Sequence, residues 1–380
     1  MPISRLELTD FTVFKSAQFA FSPGINVLIG ENGTGKSHVL KAMYAALRGG
    51  STRDSLVHKF ADVFRPEPRS LSRLRRRGAP DAWTLRMHDA QDRLTLLRWH
   101  SVGPGAMASF TLQIPAQSAL FIPPREVLAM YSGFVAAYEA RELDFDETYY
   151  DICKALGAAP LRGPRAAAIA DLLAPLEQIL GGKVLIKGNR FFVQQGDSET
   201  EAHLLAEGLR KIACLAYLVA NGALTRDSVV FLDEPEASLN PRLVAQLVLF
   251  VHALARAGVQ VFLASHDFLL IHRLSQRAEH HQEPAVPTRF FSLYRPEPGA
   301  PVEVEAAATL LDIEHNAILD EFARYYDDER AQSEREMQRE PVVTTTKKST
   351  TTKPPAKKSV PKRSPATTKK TAAKKAYKRD

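Results

Sequence analysis

The order of apolar and polar residues divides the chain into a patterned body and an unpatterned tail. Alternating apolar positions between Ile3 and Phe21 predict an opening pair of antiparallel strands. The continuous apolar run Ile25–Ile29 predicts a buried strand, and residues 38–47 have the composition of a helix. A second helix is predicted over 56–64. Three further strands are predicted at the ranges 83–87, 94–99 and 110–114.

The later part of the body predicts alternating strands and helices. Two prolines at 123 and 124 interrupt the pattern, and the Ala- and Leu-rich residues 127–180 predict a small helical subdomain, inserted at about 125–182. A hairpin follows, and then two helices alternate with two apolar strands: helix 212–221, strand 229–232, helix 241–256 and strand 259–264. This order predicts an α/β fold with a mostly parallel sheet, an antiparallel β subdomain and a ligand at the carboxyl edge of the sheet.

The segment GENGTGKS connects the first buried strand to its helix. It consists of Gly30, Glu31, Asn32, Gly33, Thr34, Gly35, Lys36 and Ser37. The glycines allow a sharp turn whose N–H groups point at phosphate oxygens, and the helix that follows adds its positive dipole end. Lys36 would reach the β- and γ-phosphates, and the Ser37 hydroxyl would take a position on Mg²⁺. These residues predict nucleotide binding.

Two acids end the strand at 229–232. Asp233 would hold Mg²⁺, directly or through water, and Glu234 is placed to polarise an attacking water. The same edge of a parallel sheet would bring this pair beside the phosphate loop. We therefore predict a nucleotide with β- and γ-phosphates and Mg²⁺ as ligands.

Composition adds few constraints to the body but sets the tail apart. The 380 residues are 45% hydrophobic and 24% charged, which is ordinary for a globular protein, and carry a formal net charge of +7. Only two cysteines occur, and no apolar run is long enough to span a bilayer, so we expect a cytoplasmic protein with no membrane contact. Residues 341–380 hold 13 basic side chains and one acidic, which leaves the other 340 residues mildly acidic.

The tail repeats Lys, Thr and Pro without an apolar pattern, and we predict that 341–380 is disordered. It either binds nucleic acid through counterion release or keeps the protein soluble; composition does not choose between them.

Four segments in this order, GENGTGKS, AEGLRK, VVFLDEPEASLNP and LASHD, resemble the ATP-binding-cassette fold. The similarity is to the soluble RecF-, SMC- and OLD-like ATPases with AAA-type domains, and it covers residues 1 to about 325. It implies a P-loop ATPase domain over 1–325, followed by a helical extension at 326–340. It also implies that two copies sandwich ATP, so that dimerisation belongs to the catalytic cycle.

The resemblance assigns roles to individual residues. Lys36 and Ser37 match Walker A, and Asp233 and Glu234 match the Walker B aspartate and the catalytic glutamate. His266 matches the switch histidine that would contact the γ-phosphate. The remaining matches, which would contact nucleotide, are Glu207 and Gly208 of the signature segment and Asn240 of the D-loop.

Two departures from the family pattern affect the expected activity. Ala206 stands where the signature serine would be, so hydrolysis is expected to be slow. No Q-loop glutamine is assigned, although Gln113 and Gln117 lie near the expected place. No acidic TOPRIM-like domain follows residue 312, so any nuclease or toxin activity is expected from a partner effector chain.

The leading hypothesis is therefore an ATPase that dimerises on ATP and controls DNA transactions or an effector, in DNA repair or phage defence. The alternative is a nucleotide-gated scaffold or sensor with little turnover; a transporter ATPase is disfavoured. Two local questions stay open. Phe11, Phe14 and Lys15 would either contact adenine or, as we favour for the apolar pair, belong to the core. The arginines at 73, 75, 76 and 77 would either bind phosphate backbone or, as we favour, form a solvated helix end.

Overall fold

The computed structural model describes residues 1–100, 107–115, 117–280 and 285–339. The predicted tail therefore lies outside the described residues. The chain divides into two compact units, residues 1–328 and residues 329–380. In the second unit the described residues are helical and end at Arg339. The domain limits at 325 and 340 stay predictions.

Three sheets and ten α-helices make up the described residues. The strands are β1 Ile3–Phe11, β2 Phe14–Ala20, β3 Ile25–Ile29, β4 Ala82–Asp89, β5 Leu94–His100, β6 Met107–Leu112, β7 Ala119–Ile122, β8 Lys183–Lys187, β9 Arg190–Gln195, β10 Ser198–Glu201, β11 Val229–Asp233, β12 Gln260–Ser265, β13 Thr288–Tyr294 and β14 Glu303–Ala307. The helices are α1 Lys36–Arg48, α2 Arg53–Phe64, α3 Phe134–Glu139, α4 Glu147–Leu156, α5 Pro164–Ala167, α6 Ala170–Leu180, α7 Glu207–Ala220, α8 Pro241–Arg256, α9 Phe268–Glu279 and α10 Ala317–Arg339.

The central sheet has six strands in the order β14-β13-β3-β12-β11-β7. All neighbours are parallel except the hairpin of β13 and β14. Its strands β3, β11 and β12 are buried along their whole length, as expected for a sheet covered on both faces. The α/β fold predicted from the sequence is confirmed.

The two faces of the central sheet pack into two hydrophobic cores. Val27 of β3 points into the core that contains α7, α8 and the helical insertion, whereas its neighbour Leu28 points into the core that contains α1. The second core also takes in the five-stranded antiparallel sheet β2-β1-β4-β5-β6. The predicted β subdomain and helical insertion are both present.

Several predicted elements differ from the observed ones. A strand that the sequence did not predict lies just before the prolines at 123 and 124. This strand, β7, ends at Ile122 and pairs with β11 at the edge of the central sheet. The strand predicted at 110–114 is β6, which ends at Leu112. The helix end predicted around the arginines is only a 3₁₀ turn, Leu71–Leu74. Two further features were not predicted. One is the hairpin of β13 and β14, and the other is β10, which adds a third strand to the hairpin of β8 and β9.

Candidate functional site

The loop Gly30–Ser37 lies between two supports that leave no room for larger residues. A Cβ added to Gly30, where φ is 141°, would stand 2.3 Å from the carbonyl oxygen of Leu293 in β13. At Gly35, φ is 93° and an added Cβ would stand 2.7 Å from a methyl group of Val13. Positive φ together with these close approaches requires glycine. The loop is therefore held in one shape by β13 and the turn between β1 and β2.

Lys36 folds back over this loop. Its Nζ donates hydrogen bonds to the carbonyl oxygens of Gly30 at 2.7 Å and Glu31 at 2.9 Å, and the residue is 6% exposed. Burial lowers the pKa of Lys36, while the carboxylates of Glu234 and Asp233 oppose that shift. The tip of the loop, from Glu31 to Gly33, is exposed. An amine held over a glycine loop at the start of a helix is suited to a phosphate.

Ser37 and Asp233 form the second part of the site. The Ser37 hydroxyl donates a hydrogen bond of 2.9 Å to Oδ1 of Asp233, which is 3% exposed. Burial raises the pKa of Asp233 to about 6, against the lowering effect of the Ser37 hydrogen bond.

One hydroxyl and one carboxylate match the oxygen chemistry of Mg²⁺, which commonly takes one or two protein ligands and completes its shell with phosphates and water. Within the described ranges no group of three or more His, Cys, Asp or Glu side chains is arranged to hold a metal. Ser37 and Asp233 therefore fit a metal that arrives with a phosphate ligand.

Glu234 follows at a strained backbone position. Its φ is 46°, in the left-handed region, and its N–H donates to the carbonyl oxygen of Ala264 at 2.9 Å. This conformation turns the side chain toward β12, where its Oε1 lies 3.2 Å from Nδ1 of His266. Both side chains are partly exposed. The structure thus places Lys36, Ser37, Asp233, Glu234 and His266 at or beyond the carboxyl ends of the three parallel strands β3, β11 and β12.

The segment that resembles a signature motif lies at the start of α7. Ala206 occupies the N-cap and supplies no side-chain hydrogen bond, and both Ala206 and Glu207 are exposed. Gly208 is buried, and an added Cβ would stand 2.6 Å from the carbonyl oxygen of Ser238. Asn240 caps α8, with its Oδ1 accepting from the N–H groups of Arg242 and Leu243 at 3.0 Å.

No hydrogen bond between described residues joins 205–208 to the phosphate loop. A cavity of about 590 Å³, lined in part by Ala206, Gly208, Ser238 and Asn240, opens beside the start of α7.

Other sequence expectations meet different outcomes. Phe11 and Phe14 are 0% exposed, so they belong to the core and cannot stack on adenine, whereas Lys15 is exposed. Among the arginines, Arg76 pairs with Asp10 at 3.0 Å and Arg75 donates to the carbonyl oxygen of Pro80.

The glutamines considered for a Q-loop are engaged elsewhere. Oε1 of Gln113 accepts from the N–H of Leu94, and that of Gln117 accepts from the N-terminal amine. After β7, Glu126 lies 2.8 Å from Nε of Arg210 in α7.

Sequence reasoning missed Arg295. Its Nη2 donates to the carbonyl oxygen of Gly33 at 3.2 Å, at the tip of the phosphate loop. It stands just after β13, whose parallel pairing with β3 carries it there. No local sequence pattern reveals that pairing. Only the strand register, in which Ser292 pairs with Ile29, shows that an arginine three residues further on reaches the loop.

Parts of this chain match two family models and the RecF proteins of several bacteria. A family model described as "AAA domain, putative AbiEii toxin, Type IV TA system" matches residues 122–272, and a second described as "AAA domain" matches residues 5–75. The DNA replication and repair protein RecF of Vibrio vulnificus (strain YJ016) is 46% identical over 57 residues, which is 15% of this chain and 16% of that protein. RecF of Aliivibrio fischeri (strain MJ11) is 45% identical over a segment of the same length and the same coverage.

The chain thus spans about one sixth of the length of these curated relatives. Among solved structures, an SmcHead bound to the C-winged helix domain of ScpA superposes with a TM-score of 0.51 at 14% identity, covering 82% of this chain and 98% of that one. This similarity concerns the fold. None of the described helices has the length and apolar character that crossing a membrane requires.

Proposed function

Because the chain belongs to the ABC-type family of AAA-domain ATPases, we propose that it binds ATP with Mg²⁺, hydrolyses it slowly and dimerises around it. The observation that carries this proposal is the hydrogen bond between Ser37 and Asp233 beside the amine of Lys36. A hydroxyl, a carboxylate and an amine at the mouth of a glycine loop are the groups that a metal-bound triphosphate needs.

Each residue has a distinct task in the proposed reaction. Lys36 exchanges its two carbonyl acceptors for phosphate oxygens, so its charge is available without a large movement. Ser37 and Asp233 would hold Mg²⁺, which when bound neutralises charge on the phosphates. Glu234 orients the attacking water and accepts its proton, and His266, now beside Glu234, hydrogen-bonds the γ-phosphate. Arg295 stabilises the loop through Gly33.

The partner in the proposed sandwich is a second copy of this chain. The start of α7 presents N–H groups without a side-chain cap, next to Leu204, which is 76% exposed. A helix N-terminus attracts anions, and an exposed leucine favours burial in an interface. Glu207 and Gly208 would face the nucleotide held by the other copy. The alanine at 206 offers no hydroxyl there, which supports slow turnover.

For the biological role we propose control of DNA transactions or of an effector protein. RecF relatives are DNA replication and repair proteins, and the description of one matching family model names a toxin of a toxin–antitoxin system. Repair or phage defence is accordingly the process we favour, with a nuclease or toxin acting in trans. The lack of a signature hydroxyl at Ala206 favours the second candidate, a nucleotide-gated scaffold or sensor.

The test of the proposal is Mg²⁺-dependent binding and hydrolysis of ATP by the purified full chain. Lys36→Ala is expected to abolish both, while Lys154→Ala, which changes an exposed lysine of the insertion, is the matched control and is expected to leave both intact. A wild-type protein that neither binds nor hydrolyses ATP with Mg²⁺ would contradict the proposal.

The basic tail is proposed to bind nucleic acid. A DNA shift assay over a series of salt concentrations, comparing the full chain with one ending at Glu340, tests this. Loss of salt-sensitive binding on truncation supports a tail-borne site, and equal binding by both chains refutes it.

A further inference from the structure

The loop after β11 contains a second buried acid that the proposed mechanism does not use. Glu236 is 7% exposed, and its Oε1 accepts a hydrogen bond of 2.6 Å from the hydroxyl of Ser265. The hydroxyl oxygen of Ser265 in turn accepts from the N–H of Asp267 at 3.0 Å. Ser265 and Asp267 are the two neighbours of His266. Glu236 therefore braces the segment that carries the histidine.

Half of the Glu236 carboxylate is left without a partner. Its Oε2 is buried and makes no hydrogen bond within the described residues. Burial raises the pKa of Glu236, and the Ser265 hydrogen bond opposes this. A buried, unpaired carboxylate oxygen is costly, so such a group in a functional region needs an explanation.

A buried amine of opposite charge lies in the same region. Lys211 of α7 is 8% exposed, and its Nζ also has no hydrogen-bond partner in the described part of the chain. Burial lowers its pKa, and four carboxylates oppose that shift: those of Glu207, Glu236, Glu234 and Glu126.

A small cavity, with room for about one water molecule, lies beside the amine. This cavity of about 20 Å³ is lined by Lys211, by Glu126 and by Pro235, which separates the two acids Glu234 and Glu236. Complementary groups that served stability alone would be expected in contact, because each unmade bond costs free energy. Lys211 and Glu236 make no hydrogen bond to each other in the described part of the chain, which fits a site with a second arrangement of these two side chains.

We propose that Lys211 and Glu236 are positioning residues that link α7 to His266. In the ATP-bound dimer, Lys211 takes the free oxygen of Glu236, and Glu236 fixes His266 through Ser265. This inference rests on the proposed function, since the movement of α7 is supplied by a nucleotide in the other copy.

The geometry of α7 makes this link direct. Glu207 at its exposed start and Lys211 in the interior are one helical turn apart on a helix of 14 residues. A short helical segment moves as a unit, so a displacement at Glu207 shifts Lys211 as well. One end of the helix would sense the partner's nucleotide, and the next turn would act on the chain's own site.

The experiment measures kcat and KM for ATP in full-length variants, together with thermal unfolding. We expect Lys211→Met and Glu236→Gln each to lower kcat by about tenfold with KM within about twofold. The double variant should be no slower than the slower single variant, because both remove the same link. Lys211→Arg is expected to recover part of the rate. Lys211→Met should unfold no earlier than wild type, since it removes an unpaired buried charge.

Lys59→Met is the matched control. Lys59 is a buried lysine, 9% exposed, but it is paired with Glu147 at 2.9 Å and with Asp151, so its loss should lower the unfolding temperature and leave kcat unchanged. If Lys211→Met fails to fold, Ser265→Ala gives the same kcat test on the other side of Glu236.

Unchanged kcat in the Lys211 and Ser265 variants overturns the inference, as does a double variant whose loss equals the product of the single losses. The inference is also overturned if Lys59→Met lowers kcat as much as Lys211→Met does. A wild-type chain with no ATPase activity overturns the proposed function and this inference together.

Discussion

The hydroxyl of Ser37 lies 2.9 Å from the carboxylate of Asp233, although 196 positions separate the two residues in sequence. The pairing follows from strand order, because β12 stands between β3 and β11 and all three run parallel. Their carboxyl ends therefore meet at one edge. The hydrogen bond from Ser37 only partly compensates the free-energy cost of burying the Asp233 carboxylate.

Asp233→Asn is expected to stabilise the protein without nucleotide while abolishing Mg²⁺-dependent hydrolysis. The pKa of Asp233 rises from 3.8 to about 6 on folding, so the folded state favours the protonated form. The free energy of unfolding therefore falls as pH rises from about 4 to about 6, and the asparagine variant avoids a cost of up to about 3 kcal/mol above that range.

Chemical denaturation at pH 8, 6 and 5 measures this effect. The advantage of the variant should be largest at pH 8 and shrink toward pH 5. Asp227→Asn, which changes an exposed aspartate before the same strand, should show no such trend. A variant less stable than wild type at pH 8 would contradict the prediction.

Glu234→Gln is expected to bind ATP, to lose hydrolysis and to accumulate as an ATP-bound dimer. The amide keeps the shape of the carboxylate but cannot accept the proton of the attacking water. Light scattering with size-exclusion chromatography in Mg²⁺ and ATP provides the measurement. Glu297→Gln, which changes an exposed glutamate after β13, should behave as wild type. A Glu234→Gln protein that stays monomeric with ATP would exclude the sandwich.

Ala206→Ser is expected to raise both stability and turnover. A serine at this N-cap can accept from the free N–H groups of α7, which typically contributes about 1 kcal/mol. It also restores a hydroxyl at the surface that we expect to face the other copy's nucleotide. Thermal unfolding and steady-state ATPase assays test the two effects separately. Unchanged slow turnover, with unchanged biological output, would favour the scaffold hypothesis instead.

His252 in α8 is expected to weaken the fold in mild acid. It is 5% exposed, and burial first, then the charges of Arg277 and Arg256, lower its pKa to about 4. The unfolded chain binds the proton more readily, so stability is present above pH 6.5 and is lost as pH falls toward 4. At pH 5 the loss is about 2 kcal/mol.

His252→Leu should therefore flatten the pH dependence of unfolding between pH 7 and pH 5. The same substitution at His280, an exposed histidine, should not. Equal slopes in both variants would show that other groups cause the acid sensitivity.

The sequence predicted the parts of this molecule whose signals are local. The strand Ile25–Ile29 and the helix Pro241–Arg256 were predicted with the observed limits because apolar period and a proline start define them. By contrast, β7 has four residues, and among the described strands it pairs only with β11, more than 100 positions away. The order of parallel strands leaves no local trace, so Arg295 was missed.

The interior of the site was the least predictable part. Lys211 and Glu236 stand in segments whose resemblance to a family was recognised, but neither has a periodicity that marks it as buried. Their importance depends on what surrounds them, and on bonds that they do not make. Burial and hydrogen bonding of that kind arise only when distant segments pack.

The interleaved order of the central sheet also constrains synthesis. The strand β3 has β12 and β13 as its neighbours, so its backbone edges have no strand partner until some 260 residues have been translated. The glycine loop is supported by Leu293, which is translated later still. A nascent chain that stops before that point would contain the loop without the strand β13 that supports it. The proposed nucleotide site can therefore form only after most of the body has been translated.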